Sequence, residues 1–484
     1  MNSATPEDFL ALGYHEDVST FFVENFGCRA TQADGAAIAR QFQDRGYEAA
    51  PSAASAGLVI LNTCTVTASA DQDARAAIRR IRRQNPACEI VVTGCYAQRA
   101  PEEVAALPGV SRVIGNSHKH LLAEIALRQF VPLSSLKTAE GGLANVLDQT
   151  IADAQRLFVS DIFAHTELLA APVFETTGEV TESARTRPNL KIQDGCDNRC
   201  SFCVIPSVRG QSRSLPFDRI LAEVNALVET GYREVVISGI NLGRWGRDLP
   251  DSAGHSNRRR FETLIRRILA ETSLEKLRLS SIEPMDWSAE LMGLMADSPR
   301  IAKHAHVPMQ SGSDPVLRRM HRKYRPWHYR EKIEKIRAAM PSAAIGADVM
   351  VGFPGETEGD FEETRRMIEE LPFTYLHVFT YSSRPGTPSA AMRDQVPVHV
   401  ARERNRLLRE LAAEKKQAFM QSFVGREIDA ITLNIAAHRR DDDFTEAVTD
   451  NYLKLRLLGR HEPNRWVAAR IEGVQEATLV GSAA

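Results

Sequence analysis

Three cysteines share one short loop, DGCDNRCSFCVIP, with Cys196 followed after three residues by Cys200 and after two more by Cys203. Three thiolates so close in sequence form a metal-ligand set that leaves one coordination position open. Structural zinc takes four protein ligands, usually from paired Cys-x-x-Cys knuckles, and the loop supplies no fourth. Iron–sulfur clusters are also held by thiolates, and a cluster with one iron lacking a protein ligand can bind a substrate or cofactor there. Buried structural thiols are the bland alternative. A loop built from Gly, Asp and Asn argues against it.

A second set is dispersed. Cys28 closes NFGC, Cys64 closes LNTC and Cys95 closes VTGC, each directly after a β-rich run. Taken singly, each reads as a small buried hydrophobe. Three at strand ends, beside Gly or Asn and Thr, read as ligands gathered at the sheet edge where open α/β folds bind. Cys88 matches no motif and reads as structural or incidental.

The elements that must position these residues follow from the hydrophobic pattern. Residues 1–116 alternate FFVEN, a helix after Thr31, GLVILN, a helix over about 69–83, and EIVVTG. This βαβα order predicts a parallel sheet. Residues 117–187 hold helical fragments and the polar tract ETTGEVTESARTRP, read as a connecting segment. Over 188–422 candidate strands recur in NLKIQ, EVVISG, KLRLSS, HAHVP, IGADVMVGF and YLHVFTYS, with amphipathic helices between. Six repeats predict a partial (βα)6 barrel, short of the eight-fold closed form. After a long charged helix over 398–420, residues 423–484 alternate with period two, which predicts a small antiparallel β domain. The expected fold class is thus α/β with three domains.

The 484 residues suffice for about three cores. Sixty Lys and Arg against 62 Asp and Glu leave a net charge of -2, so any polyanion site must be a local patch. No apolar run reaches a membrane span, and the first residues lack a basic start followed by an apolar core, so a cytoplasmic chain is expected. Seven cysteines are too sparse for a secreted disulfide framework. Two basic clusters are candidate phosphate contacts: Arg79, Arg80, Arg82 and Arg83, and Arg318, Arg319, Arg322, Lys323 and Arg325. Solvated helix faces are the commoner meaning of such runs. RRRF at 258–261 is equally ambiguous, and GFPGE at 352–356 lacks the Gly-Lys-Ser of a Walker loop.

Cys196, Cys200 and Cys203, with Phe202 before the last, resemble the signature of radical S-adenosylmethionine enzymes. FGCRATQADG, NTCTVT and TGCYAQ resemble the methylthiotransferase branch of that family, and the likeness continues through VVISGINLG, RLSSIEP, HVPMQSGSDPVLRRMHRKY, DVMVGFPGET and HVFTYSSRPGTP. It covers about residues 21–116 and 188–425. The resemblance implies two [4Fe-4S] clusters, one on the loop triad with an open iron for S-adenosylmethionine, the other on Cys28, Cys64 and Cys95. It implies that one S-adenosylmethionine yields a radical and another donates a methyl group to sulfur at the N-terminal cluster. The substrate most resembled is threonylcarbamoyl-adenosine beside the anticodon of tRNA, modified at carbon 2. Isopentenyl-adenosine in tRNA and an aspartate of a ribosomal protein are the near alternatives. A metal-stabilised RNA-binding protein without turnover is the alternative of another class. An electron donor and a sulfur donor are needed, neither legible in sequence.

Strand ends in the barrel carry candidate cofactor contacts: Ser238, Gly239, Ser281, Glu283, Gln310, Ser311 and Asp348. The last domain sits where the family carries the small RNA-binding barrel called TRAM, yet it holds eight Lys and Arg against ten Asp and Glu. Thr31 stands three residues after Cys28, where the family usually has Asn.

Overall fold

Leu58–Thr63 is buried at every position, as a parallel strand covered by helices on both faces must be. In the computed structural model, which describes residues 20–127, 156–165, 186–250, 261–435 and 443–484, this strand is β3 of a parallel six-stranded sheet ordered β2-β1-β3-β4-β5-β6. β1 is Thr20–Asn25, β2 Glu48–Ala49, β4 Glu89–Gly94, β5 Val110–Gly115 and β6 Leu157–Phe158. Two helices cover it early in the chain, α1 over Arg29–Gln43 and α2 over Ala68–Gln84. α2 starts where the Thr67 hydroxyl accepts the Ala70 N–H at 3.2 Å, a standard N-cap. Its Ala74, Ala77, Ile78 and Ile81 recur at helical spacing and are buried against the sheet.

Packing divides the chain into two units, Met1–Leu169 with Ser207–Gly210, and Ala170–Pro206 with Gln211–Ala484. The connecting segment is therefore less uniform than its sequence suggests. Leu157–Phe158 joins the first sheet beside β5, and Leu122–Leu127 is a helix buried in its core. Most of the polar tract at 175–188, the residues before 20 and Arg258–Arg260 lie outside the described residues.

The second unit begins with seven strands: β7 Asn189–Asp194, β8 Arg213–Ser214, β9 Glu234–Gly239, β10 Lys276–Leu279, β11 His304–His306, β12 Ala344–Val351 and β13 Tyr375–Thr380. β10-β9-β7-β8 form one sheet and β11-β12-β13 another. A parallel bridge from Leu277 to Ile301 joins β10 to the segment entering β11. Six parallel strands thus follow one another in chain order, with the two-residue β8 antiparallel on the β7 edge. This is the expected partial barrel.

Beyond the helix Val398–Gln421, β14 Glu427–Thr432, β15 Phe444–Thr449, β16 Lys454–Leu458, β17 Trp466–Gln475 and β18 Thr478–Ala483 close a small barrel in the order β14-β15-β16-β18-β17. Its pairs are antiparallel except β16 with β18. Met420 at the helix end shares its core. The turn after β15 docks on the first residues of β9 and β10, away from the cysteine loop. There Arg278 pairs with Glu234 at 2.5 Å and donates to Asp450 O at 3.0 Å, and Lys276 Nζ lies 3.1 Å from Asp450 Oδ1. Part of the acidic character of this domain is thus spent on holding it to the large barrel.

Candidate functional site

The N-terminal cysteines converge because β1, β3 and β4 are neighbours and end level. Asn25 pairs with Asn62 and Thr63 with Gly94, so Cys64 and Cys95 each follow a paired residue directly. Gly27 has φ +96, and a Cβ there would stand 2.5 Å from Cys64 Cβ and 2.8 Å from its Sγ. Only glycine lets the Cys28 loop come this near. Cys28 is the N-cap residue of α1. The Thr31 hydroxyl lies 3.4 Å from Cys28 Sγ, so the departure at this position still places a polar group against the sulfur. Asn116 Nδ2 stands 3.6 Å from Cys95 Sγ. Cys28 is exposed, while Cys64 and Cys95 are buried. Burial, reinforced by Cys95 and then Cys28, pushes the Cys64 thiol up to about 12. A metal bound there must displace that proton.

The loop cysteines follow β7. The Cys203 N–H bonds to Cys200 O at 3.1 Å and closes the loop's last turn. Gln193 fixes its start, donating to Gly195 O at 2.8 Å and accepting from the Asn241 N–H at 2.7 Å. Cys196 Sγ faces the Asn198 N–H at 3.4 Å and Asn241 Nδ2 at 3.6 Å. Arg322 Nη1 lies 3.2 Å from Cys200 Sγ, and its other nitrogens meet Glu283 and, at 3.3 Å, the Tyr324 hydroxyl. Phe202 packs edge-on against Phe353. Burial, with the neighbouring thiols as a lesser cause, pushes Cys203 up to about 12, and burial raises Cys196 as well. Among the described residues, no group of three or more His, Cys, Asp or Glu is placed to hold a single metal ion. A four-iron cluster would be held by one thiolate from each of the three cysteines and would supply redox chemistry there.

The proposed cofactor contacts divide. Ser238 Oγ and Gln310 Oε1 are buried with no hydrogen-bond partner among the described residues. Such atoms are costly unless a bound group satisfies them. Asn241 Oδ1 and Ser280 Oγ share this state, and neither was singled out by sequence. Glu283 and Arg322 line a cleft with Asn198, Cys200 and Tyr324. Ser281 is half-buried at the same strand end. Asp348 lies 3.4 Å from His306 Nε2. Gly239 keeps room for Gln193, whose Oε1 would stand 2.8 Å from a Cβ. Ser311 is engaged inside the fold, with Thr364 Oγ1 at 3.2 Å and the Ser313 N–H at 3.1 Å.

The basic clusters divide too. Arg79, Arg80, Arg82 and Arg83 are exposed on α2; Arg80 pairs with Glu24 and Arg82 with Pro86 O. Arg318 and Arg325 both pair with Asp314, at 2.9 Å and 3.1 Å. Arg319 donates to Gly355 O at 2.8 Å, and Lys323 is exposed. Arg322 is buried against Cys200 and Glu283, so its guanidinium serves the cysteine loop and not a phosphate on the surface. Cys88 is buried in the core with its thiol on Asn85 O at 3.2 Å, a structural residue.

Two cysteine triads, the second beside buried polar atoms at barrel strand ends, offer two separate sets of three sulfurs. Residues 20–115 match the family described as "Uncharacterized protein family UPF0004", and residues 190–368 match the "Radical SAM superfamily". The chain is 34% identical over 446 residues to the threonylcarbamoyladenosine tRNA methylthiotransferase MtaB of Bacillus subtilis, covering 92% of both chains. It is 35% identical to the MtaB of Rickettsia prowazekii, covering 91% of this chain and 94% of that one. A tRNA-2-methylthio-N(6)-dimethylallyladenosine synthase of Thermobifida fusca is 33% identical, covering 94% and 84%. The chain belongs to the methylthiotransferase family of radical S-adenosylmethionine enzymes. Enzymes of this family use S-adenosylmethionine and a [4Fe-4S] cluster, and its methylthiotransferases carry a second cluster. The donor sets fit these groups: three sulfurs in each triad, and orphaned Ser238, Asn241, Ser280 and Gln310 atoms where a polar cofactor would lie.

Proposed function

We propose that this enzyme adds a methylthio group to carbon 2 of N6-threonylcarbamoyl-adenosine at position 37 of tRNA, and that it does so in the cytoplasm. The observation that carries the reading is 34% identity along 92% of the chain with an enzyme named for that substrate. The hydrogen at carbon 2 has no useful acidity, so general base chemistry does not reach it. When bound, the clusters and S-adenosylmethionine supply the radical and sulfur chemistry such a position requires. Cys196, Cys200 and Cys203 hold one cluster, and Cys28, Cys64 and Cys95 the other. Ser238, Asn241, Ser280 and Gln310 orient the cofactor's polar groups, with Glu283 and Arg322 on the wall of the cleft. Exposed Arg79, Arg83 and Lys323 are the cations best placed to meet phosphates of the anticodon stem-loop.

A relative named for dimethylallyladenosine is 33% identical, so isopentenyl-adenosine is the second reading. Mass spectrometry of tRNA nucleosides with and without the gene decides between them. Loss of the methylthio form of threonylcarbamoyl-adenosine, with its precursor accumulating, is expected. Loss from isopentenyl-adenosine would replace the first reading with the second. An unchanged tRNA profile would point to the ribosomal-protein aspartate.

A further inference from the structure

Behind the N-terminal cysteines lies a buried ion group. Asp34 on α1 is 1% exposed, and one of its oxygens, Oδ2, receives both Lys119 Nζ and Arg209 Nη2, each at 3.0 Å. Lys119 and Arg209 are themselves 4% and 2% exposed, and all three residues belong to the first unit. Removing charges from water costs several kcal/mol per ion, so a buried group of this kind does not persist as mere surface decoration.

Short polar links lead from the group toward Cys28 and Cys95, and one of its partners stands near Cys64 in sequence. Lys119 Nζ also reaches Asn62 Oδ1 at 3.3 Å. Asn62 Nδ2 donates to Thr31 O at 2.7 Å, and Thr31 carries the hydroxyl beside Cys28 Sγ. Asn62 itself stands two residues before Cys64. On the other side, Asn116 donates to Val208 O at 2.7 Å, next to Arg209, and faces Cys95 Sγ.

We propose that Lys119 and Arg209, bridged by Asp34, are positioning residues that set the electrostatic potential at the N-terminal cysteine site and thereby the reduction potential of the cluster held there. The inference rests on the reading that Cys28, Cys64 and Cys95 hold a cluster. A buried cation close by favours the reduced, more negative state, and a buried carboxylate opposes it. The charges therefore act with opposite sign, which a purely structural role would not produce.

The test uses the full chain with Cys196, Cys200 and Cys203 replaced by Ala, loaded anaerobically with iron and sulfide, so that only the N-terminal site contributes. The reduction potential is read by titration with paramagnetic resonance detection. Lys119→Met is expected to shift it to more negative values, Asp34→Asn to more positive values, and Lys119→Arg to restore the parent value. Lys119→Met leaves Asp34 with Arg209, so its carboxylate keeps a cationic partner and the sheet is expected to form. Should that variant fail to fold, Lys119→Gln, which keeps a hydrogen-bond donor, carries the same expectation. Unmoved potentials, or shifts of the same sign in the Lys119 and Asp34 variants, would overturn the inference alone. A parent that takes up no iron would instead overturn the cluster reading beneath it.

Discussion

The loop triad takes its three thiols from one stretch of chain after β7, whereas the N-terminal triad takes one thiol from the end of each of three neighbouring strands. The first is a local structure, shaped by Gln193, Asn241 and a closing turn. The second exists only when β1, β3 and β4 pair in register, and a slip of one residue would turn the strand-end side chains away from one another. Both triads nevertheless have a buried arginine nearby, Arg322 at 3.2 Å from Cys200 and Arg209 on the Asp34 carboxylate. The contrast teaches that a motif encodes one centre and a sheet encodes the other, with similar electrostatic support.

Removing ligands should separate the two centres most sharply. Replacing Cys196, Cys200 or Cys203 by Ala is expected to reduce cleavage of S-adenosylmethionine to background, measured by release of 5′-deoxyadenosine. Replacing Cys28, Cys64 or Cys95 is expected to abolish methylthio product while some uncoupled cleavage persists. Equal loss of cleavage in both sets would erase the division of labour.

Gly27→Ala probes the sheet-encoded centre alone. The left-handed φ and the 2.5 Å approach to Cys64 Cβ make an added methyl cost on the order of 1–3 kcal/mol. Iron retained by the N-terminal site should fall while cofactor cleavage at the barrel is spared. Asn241→Ala and Asn116→Ala compare the groups that face one sulfur in each triad. Outer partners of this kind are worth about 10- to 100-fold in metal affinity or activity. The first variant should weaken cleavage and the second only the transfer, read from the two products in one assay.

The smallest effect is a pH dependence. With the Cys64 thiol pushed up to about 12, that group is protonated at neutral pH before metal binds, and loading releases its proton. Deprotonation becomes easier as pH rises, so iron bound at fixed time by the N-terminal site should increase from pH 7 to pH 9. A flat profile, measured in the chain lacking the loop cysteines, would show that Cys64 is not a ligand whose proton must leave.

Much of this arrangement is legible in the residues. Apolar runs such as LVILN and EIVVTG, and the strand ends carrying Cys64 and Cys95, stand where their patterns place them. Strands with polar interruptions escaped: VSRVIG is β5 although Ser111 and Arg112 break its run, and FTEAVT is β15. The supporting polar residues were the least visible. Asn241, Asp34, Lys119 and Arg209 are ordinary surface types in sequence, and only the packing of distant segments buries them. Arg322 shows the same limit in reverse, since a basic run suggested phosphate contact and the fold turned its guanidinium onto Cys200. Ser311 likewise read as a strand-end ligand, while the helix carrying Thr364 took its hydroxyl.

The most direct test of the account is an iron and sulfide count on the anaerobically loaded chain and on two triple variants, one for each triad, alongside zinc analysis. Two separate cluster sites require roughly eight irons in the parent and about four in each variant. Complete loss of iron in either triple variant, or a colourless protein with stoichiometric zinc, would contradict it.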